Sequence, residues 1–471
     1  MVIARSIKYK DKLYQAITDD TRVAKAFIEG ETLCEDINLA AFDSLLLLSY
    51  KQNAPFIQSF QDSIAQMPKS IQEKFAIIES SQLPEVLLDK EQNISVVGIT
   101  GTNGKTTTAA MIYSILLDLG FKVALLGTRG FFMNDRQIKP KGLTTPTLLE
   151  LYDDLLCAMS AKCDFFIMEV SSHAISQGRI AGVKFALKIL TNITSDHLDY
   201  HKSIEEYRRV KNSFFAGYGA KLINADEPYA ECKDREAFYY GVEKKGHLSV
   251  DAYALENGID AHISWRLRGG RAEHSTLEVG LYGKYNLYNA LASLGAVKIL
   301  TSKPLDVIAQ ALGNFGGVSG RMEVVHTCPL VIVDFAHTQD GMRQIFESFR
   351  HTKIAVVFGA GGDRDRTKRP KMGACAQQFA HKIYITSDNP RTESAQSIIE
   401  DILQGITKGE NVYIESDRKK AIHKALDELN SDEVLLILGK GDEDYQIIGS
   451  QKLHFDDREV VREYFANKIS S

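Results

Sequence analysis

The sequence predicts an α/β protein of about three domains with mostly parallel sheets. Three observations carry this. The chain has 471 residues, more than one hydrophobic core holds. From about residue 94, apolar runs of strand length alternate with segments of helical periodicity. A glycine-rich turn stands between one such run and the helix after it, where a phosphate loop belongs.

Residues 94–100 read as a buried strand. Ile112, Ile115, Leu116 and Leu119 follow at helical spacing, and Gly120 suits the helix stop. Further strands are expected at 122–127, 164–170, 186–192 and 221–224. Residues 245–282 are irregular and polar, which suggests a β excursion. Alternation then resumes, with strands expected at 330–335, 354–358, 382–386, 412–415 and 433–438. Gly316-Gly317-Val318-Ser319-Gly320 suits a domain hinge. Boundaries near 91 and 320 follow, giving domains 1–91, 92–320 and 321–471. The first of these suggests no topology.

Composition narrows the class. Hydrophobic residues make up 44% and charged residues 25%, ordinary for a soluble enzyme. Lys and Arg total 56 against 61 Asp and Glu, so the charge of −5 points to no nucleic-acid partner. The N-terminus carries Arg5, Lys8, Lys10 and Lys12 without the apolar core of a signal peptide. No apolar run approaches the roughly 18 residues of a membrane span. Cys34, Cys157, Cys163, Cys232, Cys328 and Cys375 are scattered and never spaced as CxxC. That argues against a zinc site or disulfide framework, and for reduced thiols in a cytosol.

Gly101-Thr102-Asn103-Gly104-Lys105-Thr106-Thr107 lies between the strand and the helix. Glycines let backbone amides converge on phosphate oxygens, and the helix N-terminus adds partial positive charge. Lys105 can bridge β- and γ-phosphates, and the Thr106 hydroxyl can ligate Mg²⁺. A strict Walker pattern needs glycine at position 99, which is Ile99. Glu169 ends an expected strand, where open α/β sheets bind ligands. With Thr106 it forms an oxygen pair suited to Mg²⁺. Ser203 and Glu206 form a capping-box pattern. On the helix that follows, Tyr207, Lys211 and Phe215 recur at four-residue spacing, so spacing alone makes Lys211 a snorkelling lysine.

The segment from Gly101 to Thr107 resembles the ATP loop of the Mur ligases and their folylpolyglutamate synthetase relatives. The resemblance covers about 94–445. It implies a small N-terminal α/β domain for the UDP-substrate, a central P-loop ATPase and a C-terminal Rossmann-like domain for the incoming amino acid. It implies ATP and Mg²⁺ as cofactors, and a monomer in the cytoplasm is expected. It also assigns His197, in Asp196-His197-Leu198-Asp199, to the metal. Lys211 matches a lysine carbamylated by CO₂ in most members, where the anion helps hold a second Mg²⁺.

Thr144, Thr145, Ser171, Gln177 and Arg179 match family contacts to a UDP-N-acetylmuramoyl-dipeptide. Asp20-Thr21-Arg22 resembles a uridine-contacting Asp-Ser-Arg, with Thr21 in place of Ser. Gly283 to Asn289 resembles GxxNxxN, which puts Asn289 near adenine. Gly320-Arg321-Met322-Glu323 resembles GRxE, and the segment from Asp334 to Asp340, with His337, resembles DYAHTPD. Phe335 and Gln339 replace the usual Tyr and Pro there. Arg321, Asp334 and His337 are thus expected at ATP, between two domains.

Asp388-Asn389-Pro390-Arg391 matches the DNPR motif of members that add meso-diaminopimelate. A guanidinium pairs with the far carboxylate of that amino acid and repels the bare ammonium of lysine. Arg364, Gly439 and Glu443 are expected at the same ligand, with Asp442 standing where the family has His. The expected activity is ATP-dependent amide formation through an acyl phosphate. A lysine-adding or folate-polyglutamylating ligase is the alternative that Arg391 disfavours. A dinucleotide-binding oxidoreductase is disfavoured by Arg364, which stands where GxGxxG needs glycine after Gly359-Ala360-Gly361-Gly362. A bare nucleotide switch would not need Glu169, His197 and Lys211 together.

Overall fold

The computed structural model describes residues 1–29, 42–51, 53–88, 93–267, 269–407, 409 and 411–469. Cys34 and the boundary expected at 91 lie outside these residues. The described chain forms two compact units, one drawn from 1–193, 201–240 and 292–303, the other from 194–200, 241–291 and 304–471.

The first unit holds two sheets. At the N-terminus, Val2–Tyr9, Lys12–Thr18, Leu45–Ser49 and Phe75–Glu79 pair in chain order, the first pair antiparallel and the rest parallel. Leu45 to Leu48 are fully buried, the continuous apolar run of a strand covered on both faces. Ile3, Ile7, Leu46, Leu48 and Ile78 pack with Leu148, Leu149 and Tyr152 of the helix Leu148–Ser160, which ties this sheet to the central region.

The central sheet runs Phe238–Gly241, Ala220–Asn224, Phe185–Leu190, Ser95–Thr100, Phe165–Glu169, Val123–Gly127, all parallel. An antiparallel hairpin, Gly130–Met133 and Arg136–Lys139, follows Val123–Gly127. Its turn, Asn134-Asp135, has φ of 44° and 71°, the left-handed geometry that two-residue hairpins favour. The strands expected in this region are present within a residue or two. The hairpin was not foreseen, because strands this short carry no periodicity. The helix Lys105–Asp118 ends where Gly120 takes φ 84°.

In the second unit the β excursion is a meander of Leu248–Ala254, Ile259–Trp265 and Glu273–Val279, backed by the helix Leu305–Gly313. A six-stranded sheet follows in the order Glu323–Thr327, Leu330–Asp334, Glu433–Leu438, Lys353–Phe358, Lys382–Ile385, Val412–Ile414. Only the first strand is antiparallel. Separate apolar clusters cover its two faces, one around Ile332, Val356 and Leu436, the other around Val333, Val357 and Leu435. This is the doubly wound layout expected of a Rossmann-like region, with ligand sites outside the carboxyl ends of the strands. No described helix is long and apolar enough to cross a membrane.

Candidate active site

In the first unit the phosphate loop leaves the strand Ser95–Thr100 and enters the helix at Gly104, whose φ of 85° favours glycine. The Lys105 Nζ donates to the carbonyls of Gly101 at 2.7 Å and Thr102 at 2.9 Å. Residues that sequence reasoning missed brace this loop. Asn192 Oδ1 accepts from the Asn103 amide at 2.9 Å, and the Thr191 hydroxyl donates to Asn103 O at 2.6 Å. Tyr207 shares a hydroxyl hydrogen bond of 2.9 Å with Thr102. Thr191 and Asn192 directly follow a strand, and that position was their only signal.

Glu169 ends the strand Phe165–Glu169 and is 2% exposed. Its Oε2 accepts from the Thr106 hydroxyl at 2.9 Å and from the Thr128 hydroxyl at 3.3 Å, while Oε1 accepts from the Thr128 amide at 2.9 Å. Thr128 too was missed. Lys211 lies on the helix Ile204–Ser213, whose N-cap Ser203 accepts from the Glu206 amide. Only half of the capping box forms, because the Glu206 carboxylate turns to Arg209. Lys211 is 1% exposed, and its Nζ donates to Gly101 O at 2.9 Å. It does not snorkel. Lys105 and Lys211 therefore meet at one carbonyl oxygen of the phosphate loop.

Adjoining Glu169, the Thr145 hydroxyl donates to Glu169 O at 2.9 Å and accepts from the Ser171 amide at 3.0 Å. Thr144 and Thr128 hydroxyls lie 3.1 Å apart. Ser171 caps the helix Ser172–Gln177, and Arg179 donates to Thr145 O at 3.1 Å. The buried Gln177 Oε1 has no hydrogen-bond partner among the described residues. Thr21 opens the helix Thr21–Glu29, where Asp20 accepts from the Arg22 amide and binds its guanidinium at 2.7 and 3.1 Å.

His197 belongs to the second unit and is half exposed, with φ 51° and its Nε2 3.4 Å from Asp196. Burial raises the Asp196 carboxyl, yet His197, Lys368 and His337 outweigh it and hold the group well below the usual range. Lys368 sits 2.8 Å from Asp196. Asn289, buried on the helix Lys284–Thr301, donates to Asn286 Oδ1 at 3.0 Å. Asp334 accepts from the amides of Met322 and Ala336 at 2.8 and 2.7 Å. Burial nevertheless raises its pKa, against the lowering effect of Arg321 and these two amides. Arg321 stacks 4.2 Å over the Phe335 ring, so the aromatic departure keeps a cation platform. His337 is exposed, its Nδ1 3.0 Å from Phe335 O.

A third cluster lies at the strand ends of the six-stranded sheet. Asn389 Nδ2 donates to Glu443 at 2.8 Å, and Asn389 Oδ1 accepts from the Ile447 amide at 2.9 Å. Arg391, at φ 52°, donates to Gly362 O at 2.7 Å. A Cβ on Gly362 would stand 1.9 Å from Pro390 O, and one on Gly439 2.7 Å from Asp388 Oδ2, so both glycines permit close approach. Arg364 is exposed on the Gly362 loop. Asp388 to Arg391, Gly439 and Glu443 thus gather here, with Arg364 on the loop that Arg391 bonds. Lys440, fully buried 3.4 Å from Glu443, and Gln446, which donates to Asp388 O at 2.7 Å, were not foreseen.

Residues 99–297 match the Mur ligase middle domain, and residues 320–441 match the Mur ligase glutamate ligase domain. The UDP-N-acetylmuramoyl-L-alanyl-D-glutamate–2,6-diaminopimelate ligase of Helicobacter hepaticus is 66% identical, covering 99% of this chain and 100% of its own. The ligase of the same name from Wolinella succinogenes is 60% identical, over 78% of this chain and 84% of its own. A solved structure of a ligase of that name superposes with a TM-score of 0.64 at 25% identity, covering 91% of this chain and 92% of the other. With both family models matched over more than half of its length and a relative 66% identical across nearly all of it, the chain belongs to the Mur ligase family.

Proposed function

We propose that this chain is an ATP-dependent ligase that joins meso-diaminopimelate to the D-glutamyl side-chain carboxylate of UDP-N-acetylmuramoyl-L-alanyl-D-glutamate. The observation that carries it is the convergence of Lys105 and Lys211 on Gly101 O, beside the bond from Thr106 to Glu169. High identity to ligases of that name over the full chain supports the same reading.

The donor set fits Mg²⁺. One buried carboxylate, Glu169, stands with the hydroxyls of Thr106 and Thr128, an all-oxygen set. That suits an ion that takes its remaining ligands from phosphates and water. Held there, Mg²⁺ would neutralise charge on the phosphoryl oxygens. Lys211, as a carbamate, and His197 are proposed as further ligands on family likeness.

The chain's own residues do the rest. Loop amides from Gly101 to Thr107 grip the triphosphate, and Lys105 exchanges its loop carbonyls for the β- and γ-oxygens. Thr144, Thr145, Ser171, Gln177 and Arg179 hold the precursor, with Thr21 at its uridine end. Its D-glutamyl carboxylate oxygen attacks the γ-phosphorus, ADP leaves, and an acyl phosphate forms. Asn289, Arg321, Asp334 and His337 are proposed at the nucleotide.

Arg391 and Arg364 pair with the far carboxylate of diaminopimelate, and Asp388, Asn389, Pro390, Gly439 and Glu443 shape its pocket. The amine attacks the acyl carbon, phosphate departs, and the nitrogen loses a proton to leave the amide. Positioning and fixed charge supply most of the rate. A monomer working in the cytoplasm, on a soluble nucleotide-linked precursor, completes the reading.

Phosphate release from ATP is the test, with the UDP-dipeptide and either meso-diaminopimelate or lysine. Release with diaminopimelate alone is expected. Release with lysine alone would overturn the role of Arg391.

A further inference from the structure

Arg418 opens the helix Arg418–Asp427, and Asp457 opens the helix Asp457–Ile469. Both side chains are 0% exposed. The guanidinium grips the carboxylate bidentately, Nε to Oδ1 and Nη2 to Oδ2, each at 2.7 Å. Two more bonds leave the same group, from Nη2 to Leu438 O at 3.0 Å and from Nη1 to Ser387 O at 3.3 Å.

The choice of carbonyls matters. Ser387 directly precedes Asp388 to Arg391, and Leu438 directly precedes Gly439 to Glu443. The strands leading to them, Lys382–Ile385 and Glu433–Leu438, are not neighbours, because Lys353–Phe358 lies between them. No ladder hydrogen bond joins these two strands. The guanidinium spans the gap at their carboxyl ends, in addition to the bonds that join the segments themselves, from Asn389 Nδ2 to Glu443 and from Gln446 Nε2 to Asp388 O. Burial opposes its charge, but Asp457 first, then Asp388 and Glu443, outweighs this and keeps it protonated.

We propose that Arg418 and Asp457 are positioning residues for the amino-acid substrate, fixing across the intervening strand the separation of the segments that carry Asn389 and Arg391 on one side and Glu443 on the other. The proposal rests on the reading that these segments bind diaminopimelate. A planar fork can serve a carboxylate and two carbonyls at once, whereas an ammonium lacks that fixed geometry.

The test uses the full chain, with KM measured for each of the three substrates by phosphate release. For Arg418→Lys, KM for meso-diaminopimelate should rise about tenfold or more, with KM for ATP and the UDP-dipeptide within about twofold of wild type. The paired change Arg418→Met with Asp457→Leu removes both charges of the buried pair together, so it should lower the melting temperature less than Arg418→Met alone. It should show the same selective rise. A folded paired variant with wild-type KM for the amino acid, or with all three constants raised alike, overturns the positioning role. Absence of diaminopimelate-dependent phosphate release from wild type overturns the underlying functional reading, and the positioning role with it.

Discussion

Gly127→Ala tests whether Glu169 must stand where it does. Gly127 ends the strand Val123–Gly127 beside Glu169. A Cβ there would lie 2.2 Å from Glu169 Oε1 and 2.8 Å from its carboxyl carbon. Ordinary contact begins at 3.4 Å, so the carboxylate must retreat by about 1.2 Å, the difference between 3.4 and 2.2. The bonds of 2.9, 2.9 and 3.3 Å from Thr106 and Thr128 cannot all survive that shift. A misplacement of about 1 Å in a reacting site costs on the order of 100-fold in rate. That corresponds to about 2.7 kcal/mol of activation free energy. The assay is phosphate release under saturating substrates across a Mg²⁺ titration, with thermal melting alongside. The expected result is a kcat about 100-fold lower, with half-maximal activity moved to higher Mg²⁺. A folded variant with wild-type kcat and unchanged Mg²⁺ dependence would refute the reasoning.

Arg391→Ala should lower kcat/KM for meso-diaminopimelate on the order of 100-fold or more, since it removes a charged partner of the far carboxylate; a competition assay against lysine checks it, and unchanged preference contradicts it. Lys211→Arg keeps the cation but cannot form a carbamate, so phosphate release should fall about 100-fold, and full activity would remove the carbamate from the scheme. Asp154, buried on the helix Leu148–Ser160, is pushed up to about 6 by burial despite Lys139 at 2.6 Å. A carboxyl whose folded pKa is raised favours the native state while protonated, so this contribution fades as pH climbs from about 4 through 6. Asp154→Asn should therefore stabilise the protein by about 2 kcal/mol at pH 7.5 and have little effect at pH 4, as read by urea denaturation. Equal or lower stability at pH 7.5 would contradict this.

Much was legible from residue pattern alone. Gly101 to Thr107 announced a phosphate loop, because glycine, lysine and threonine at that spacing after a strand have few other uses. The strand runs ending at Thr100, Glu169 and Leu438 were readable because burial on both faces leaves continuous apolar segments. Position also mattered, since Glu169 and Asp388 stand at carboxyl ends of strands. The N-terminal sheet escaped because its first strand alternates weakly, with Ala4, Arg5 and Ser6 exposed in sequence.

Sequence by itself determined most elements from residue 94 onward, the phosphate loop and the identity of the charged groups, since local spacing encodes helix, strand and turn. Only tertiary structure decided what those groups meet. Lys211 read as a snorkelling lysine on its own helix, and folding buried it against Gly101, 110 positions away. Thr128, Gly127 and Arg418 belong to no motif, yet Thr128 bonds Glu169, Gly127 leaves room for it, and Arg418 bonds the carbonyls that precede both strand-end segments. Their importance comes from close packing between residues distant in the chain, which no local pattern records.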